Sequence, residues 1–87
     1  MEALILYRPK TDYERTVIDF QRDYNLQTGK TIESVDVDSP RGEQLCQLYD
    51  IMEYPAVIVV DDRGGLHNLW RGLPLPRIDD VSYGVQG

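Results

Sequence analysis

Five consecutive apolar residues, Ala56 to Val60 in "EYPAVIVVDDRGG", restrict the possible folds of this chain more than any other feature. The run is short and bounded by a turn signal, so it reads as a buried strand. Pro55 stands directly against it. Proline has no N–H to give to a strand ladder, which confines it to the first residue or the edge of a strand. The glycines of "DDRGG" predict a turn, and "LHNLWRG", Leu66 to Gly72, predicts the returning strand of an antiparallel hairpin.

The rest of the chain supplies elements around that hairpin. Glu2 to Tyr7 is apolar enough to be a second buried strand. Tyr13, Val17, Phe20 and Tyr24 recur at helical spacing, with Gly29 as a C-terminal stop. "TIESVDVDS" alternates imperfectly through Ile32, Val35 and Val37 and reads as a strand. Ser39 as N-cap and Pro40 at the first helical position open a second helix, with Leu45, Leu48, Tyr49 and Met52 on one face. A short last helix is expected over about residues 76–83, started by Pro76, facing inward through Ile78 and Val81 and stopped by Gly84. The order is β-α-β-α-β-β-α, an α/β class. Strands joined by a helical crossover run parallel, so the hairpin makes the sheet mixed. A single domain over 1–87 is expected.

Charge narrows the function. Fifteen acidic residues stand against nine basic ones, a net charge of −6, and Lys and Arg form no cluster. Nucleic acid and anionic membranes therefore lack the attraction that drives their binding, and neither is expected as a partner. Apolar runs fall far short of the roughly 18 to 20 residues of a membrane span, and "MEALILYRPK" does not read as a signal peptide. A soluble, cytoplasmic protein is expected. The single cysteine, Cys46, excludes an internal disulfide and any C-x-x-C pair.

The stretch Val35 to Gly72 resembles the second half of thioredoxins. There a strand ending Val-Asp-Val-Asp leads to a helix written Leu-Ala-x-x-Tyr-x-Val, and a proline opens the next strand before an Asp/Gly turn. Leu45, Cys46, Tyr49, Ile51, Pro55, Asp62, Gly64 and Gly72 fall on those places. The resemblance implies a minimal thioredoxin-like fold, a four-stranded sheet in the order 2-1-3-4, and a cis Tyr54–Pro55 bond. Ala56 departs from the Thr or Ser common after that proline.

The first half resembles glutaredoxins in layout, but the position of the family's C-P-Y-C motif falls on Thr11-Asp12-Tyr13-Glu14 or, one residue on, Asp12-Tyr13-Glu14-Arg15. Neither contains a cysteine. Thiol–disulfide exchange needs a thiolate, which these enzymes stabilise at a helix N-terminus. Here Thr-x-x-Glu is expected to form a capping box between Thr11 and Glu14. The buried Asp that thioredoxins keep on the first strand is also missing from "ALILY". The resemblance thus implies a redox-inactive member that holds a protein or extended peptide in the groove beside the proline, with Thr11, Asp12, Tyr13, Glu14, Tyr54, Pro55 and Gly72 as the groove residues and without a cofactor.

The remaining candidates carry weaker chemistry. Cys46 aligns with a small, sheet-facing helix position and reads as core, the alternative being a monothiol or mixed-disulfide function. Asp36, Asp38, Asp61 and Asp62 could suggest a cation site, but no third ligand is spaced to complete one, and no metal is expected. His67, on the expected edge strand, has no Cys or Asp at catalytic or ligand spacing and reads as surface or hairpin packing. Asp12 and Glu14 read as complements to a helix dipole in preference to an acid/base pair. Trp70 and Leu66 belong either to the core or to an exposed edge. Homodimerisation through the 66–72 edge strand is a further alternative.

Overall fold

Residues 1–86 are described by a computed structural model, in which four strands and three helices follow one another as β1 (Glu2–Tyr7), α1 (Glu14–Thr28), β2 (Glu33–Asp36), α2 (Pro40–Tyr49), β3 (Ala56–Val60), β4 (Leu66–Arg71) and α3 (Ile78–Gln86). The sheet order is β2-β1-β3-β4. β1 runs parallel to β2 and antiparallel to β3, and β3 runs antiparallel to β4. The mixed sheet and its strand order therefore match the sequence reading. β3 is buried along all five of its residues because it lies inside the sheet with helices on both faces.

Side-chain alternation sorts the core into two layers. Ala3, Ile5, Val57 and Val59 face α1 and α3, where Val17, Tyr24 and Val81 close over them. Leu4, Leu6, Ile58 and Val60 face the other way, under α2, with Val35, Val37 and Ile51. The imperfect alternation around "TIESVDV" has its explanation here. Ile32 precedes β2 and joins the α1 layer, whereas Val35 and Val37 join the α2 layer.

Local signals act as the sequence suggests at several helix ends. Ser39 Oγ accepts from the Gly42 N–H at 3.0 Å, with Pro40 behind it, and Gly29 ends α1 in the left-handed conformation at φ 72°. Two expectations are corrected. α3 spans Ile78–Gln86 in place of about 76–83, and Gly84 lies inside it. A Cβ on Gly84 would stand 2.7 Å from Asn68 Oδ1, so this glycine permits close approach to β4 and does not stop the helix. Val85 continues the inward face, which lets the helix run on. The second correction concerns α2. Leu45 and Tyr49 pack inward, but Leu48, on another face of the helix, is 67% exposed, and Met52 is 81% exposed because the helix ends at Tyr49 and Met52 lies in the loop beyond it.

The edge strand resolves another expectation. Trp70 packs partly buried into the α1/α3 layer, while Leu66 is exposed. β4 carries a bulge opposite Val59 and Val60, which pair with Asn68 and Leu66, so His67 is the extra residue. His67 Nε2 lies 2.9 Å from Asp61 Oδ2, which gives it the acidic partner that its sequence neighbours do not suggest.

Candidate functional site

The loop from Arg8 to Tyr13 carries the chain from β1 into α1. Thr11 Oγ1 donates to the Arg8 carbonyl at 2.7 Å, and the Glu14 N–H donates to the Thr11 carbonyl at 3.2 Å. The N-cap of α1 is Tyr13, and no side chain caps it. The Thr11–Glu14 capping box therefore does not form. Thr11 turns its hydroxyl back into the loop, across Lys10 in the left-handed conformation at φ 62°, and the helix begins later than a threonine cap requires.

Arg8 organises this end of the molecule, a role the sequence reading missed. Its N–H donates to the Tyr13 hydroxyl at 3.0 Å, and its guanidinium lies 5.5 Å above the centre of the Tyr54 ring. The same side chain donates to Asp38 from Nε at 3.2 Å and from a terminal nitrogen at 3.4 Å. Arg8 thus joins the β1–α1 loop, the loop before β3 and the β2–α2 turn. The available signal was an arginine directly ending an apolar strand, "ALILYR".

The loop before β3 supplies the other wall. The Tyr54–Pro55 peptide bond is cis, Pro55 is buried, and the Pro55 carbonyl accepts from the Gly72 N–H at 2.8 Å. Gly72 has φ 74°, where only glycine is relaxed, and a Cβ there would meet Glu53 Oε2 at 3.2 Å. Tyr54 donates its hydroxyl to the Ile51 carbonyl at 3.3 Å. Hydrogen bonding with the Cys46 side chain, then burial, raise the Tyr54 phenol above its ordinary value. The main-chain N–H and C=O of Tyr54 have no hydrogen-bond partner among the described residues.

The expected groove residues are therefore linked in two steps. Tyr54, Pro55 and Gly72 are joined directly, while Thr11 and Tyr13 are tied to Arg8, which touches Tyr54. Asp12 is exposed and Glu14 half-buried, and neither makes a side-chain ion pair among the described residues. Glu53, beside Gly72, adds a carboxylate that the sequence reading did not include.

On the α2 side of Tyr54 lies an open cleft of about 450 Å³, bordered by Arg8, Asp38, Cys46, Asp50, Met52 and Tyr54. Cys46 is half-buried here, against the α2 layer and lining the cleft as well. Asp36, Asp38 and Asp61, considered for a cation, make other contacts. Asp36 Oδ1 accepts from the Asp38 N–H at 2.8 Å, and Asp61 Oδ1 accepts from the N–H groups of Arg63 and Gly65. Among the described residues no group of three potential ligands is placed to hold a metal, and no helix is long and apolar enough to cross a membrane.

Several solved structures are similar. Thioredoxin 1 from the thermophilic eubacterium Thermosipho africanus TCF52B is 14% identical, with a TM-score of 0.67 over 99% of this chain and 91% of that one. A thioredoxin from Thermus thermophilus is 20% identical, with a TM-score of 0.60 over 97% of this chain and 70% of its own. A malarial protein is 15% identical at a TM-score of 0.60, over 97% and 91% of the two chains. No family model matches the chain, and no curated protein does. The fold is thioredoxin-like.

Proposed function

We propose that this thioredoxin-like chain is a redox-inactive binding module of the cytoplasm that holds an extended segment of a protein or peptide in the groove beside Pro55. The observation that carries this reading is the pair of unpartnered main-chain groups of Tyr54, next to a loop in which Pro55 and Gly72 are already bonded to each other. An extended segment can pair with such groups as an added strand. Asp12, Glu14 and Glu53 around the groove favour a basic segment. With one cysteine in the chain there is no dithiol to exchange, so insulin reduction is expected to show no turnover.

Titration with basic extended peptides, followed by backbone amide shifts, tests the binding reading. Perturbations are expected at Thr11 to Glu14, Tyr54 and Gly72, and shifts confined elsewhere would overturn it. A second reading, a monothiol or mixed-disulfide protein, draws on the position of Cys46 at the cleft beside Tyr54. Alkylation separates the two. Slow modification of the native protein at neutral pH fits Cys46 as packing, and fast modification favours the thiol chemistry.

A further inference from the structure

The end of the sheet away from Pro55 holds an open cavity of about 500 Å³, within the roughly 300–1,000 Å³ of small-molecule sites. It lies where the start of β1, the turn after α1 and the end of α3 meet. Ala3, Tyr24 and Val85 form its apolar side, and Lys30 and Glu2 stand on its border. The length of β1, roughly 15–20 Å, separates it from the groove.

Tyr24 is exposed over only 1% of its surface, and its hydroxyl makes no hydrogen bond among the described residues. Buried hydroxyls nearly always find a partner. No polar side-chain atom among the described residues is both fully enclosed and unpartnered, so the exposed sliver of Tyr24 includes the hydroxyl, which opens into the cavity. Burial pushes the phenol above its ordinary value, so at neutral pH it keeps its proton and stands as a donor.

The acceptors close by are already engaged. The Tyr24 carbonyl accepts from Thr28 Oγ1 at 2.7 Å, that of Asn25 from the Gly29 N–H at 2.9 Å, and that of Lys30 from Asn25 Nδ2 at 3.2 Å. These bonds blunt the negative end of α1. The Lys30 ammonium has no carboxylate partner among the described residues. Alternation along β1 turns Glu2, with Leu4 and Leu6, towards the α2 face, where its charge acts on Arg41. A phenol donor and a cation are thus left facing an apolar wall.

We propose that this cavity binds a small organic monocarboxylate, whose carboxylate accepts from the Tyr24 hydroxyl and pairs with Lys30 while its apolar body lies against Ala3 and Val85. The site is separate from the groove beside Pro55, so it stands or falls apart from the peptide-binding reading.

The test follows amide shifts of the whole chain on titration with hexanoate, with hexanol, hexylammonium and acetate as controls. Hexanoate is expected to shift Ala3, Tyr24, Lys30 and Val85 saturably, and to bind more tightly than any control. Tyr24→Phe keeps the ring and removes a hydroxyl that has no partner in the protein, so its urea midpoint should match the wild type. Its affinity for hexanoate should fall roughly tenfold, as on losing a hydrogen bond to a charged group. Lys30→Gln should weaken hexanoate roughly threefold, the size of an exposed charge contact, and leave hexanol unchanged.

Equal affinity for hexanol or hexylammonium would overturn the carboxylate assignment, and equally tight acetate would overturn the apolar one. Unchanged hexanoate affinity in Tyr24→Phe, or shifts that do not saturate or fall outside the cavity, would overturn the proposal. A lower urea midpoint in Tyr24→Phe would also count against it, by assigning the hydroxyl to the fold.

Discussion

Gly42 sits in the first turn of α2, where a glycine lowers helix propensity by about 1 kcal/mol relative to alanine. Its use is steric. A Cβ there would lie 2.0 Å from the Asp36 carbonyl oxygen, in the main chain at the end of β2. Backbone cannot move aside as a flexible side chain does. Gly42→Ala is therefore expected to destabilise by about 1–3 kcal/mol or more despite the better helix propensity, read as a lower urea midpoint. Arg8 shows the opposite case of an exposed residue with structural work to do. Its contacts with Tyr54 and Asp38 are each worth about 1 kcal/mol or less at exposed sites. Arg8→Ala should cost little global stability yet speed amide exchange at Tyr13 and Tyr54. Arg8→Lys should not restore protection, since an ammonium cannot pair two-pronged with Asp38 while lying flat on the ring.

At the scale of elements, the β3–β4 hairpin depends on Asp61. Its carboxylate is held below the ordinary aspartate value first by His67 and then by the N–H groups of Gly65 and Arg63. A depressed carboxylate contributes stability that is present above the unfolded value and lost as pH falls through the folded one. The wild-type urea midpoint should thus drop as pH is lowered through and below the ordinary aspartate range. Asp61→Asn should show a smaller drop over that window while keeping an oxygen that can accept from Arg63 and Gly65. An equal drop in both proteins would assign the acid sensitivity elsewhere. The glycines of the turn divide the task. Gly64 takes φ 82°, whereas Gly65 is there for space, since its Cβ would stand 2.6 Å from Asp61 Oδ2. The Tyr49 hydroxyl, donating to the Gly64 carbonyl, fastens the turn to α2.

For the whole molecule, the sheet has two ends, β2 and β4. Pairing of a second copy along Leu66–Gly72 is the alternative proposal at this scale. The bulge at His67 and the exposed Arg71 work against it, since bulges and charges blunt edge strands. Sedimentation velocity at two concentrations is expected to give one monomeric boundary. A boundary that moves with concentration would favour the edge-paired dimer.

What the sequence determined by itself was whatever depends on neighbours along the chain. The alternation of apolar residues, Ser39 and Pro40 before α2, Gly29 after α1 and the glycines of the hairpin turn all act within a few residues. They suffice for the element order and, with the likeness of Val35 to Gly72 to thioredoxins, for the sheet order. Tertiary structure decided what depends on approach between distant segments. The Thr11 hydroxyl had two acceptable uses, and the loop chose the Arg8 carbonyl over the helix end. Gly84 reads locally as a helix stop, but across space it admits β4, as Gly42 admits β2. The Arg8 bridge, the His67–Asp61 pair and the cleft beside Tyr54 likewise arise only when strands and loops far apart in sequence meet. Side-chain chemistry alone specifies a donor or a charge. Its partner is set by the packing of the sheet.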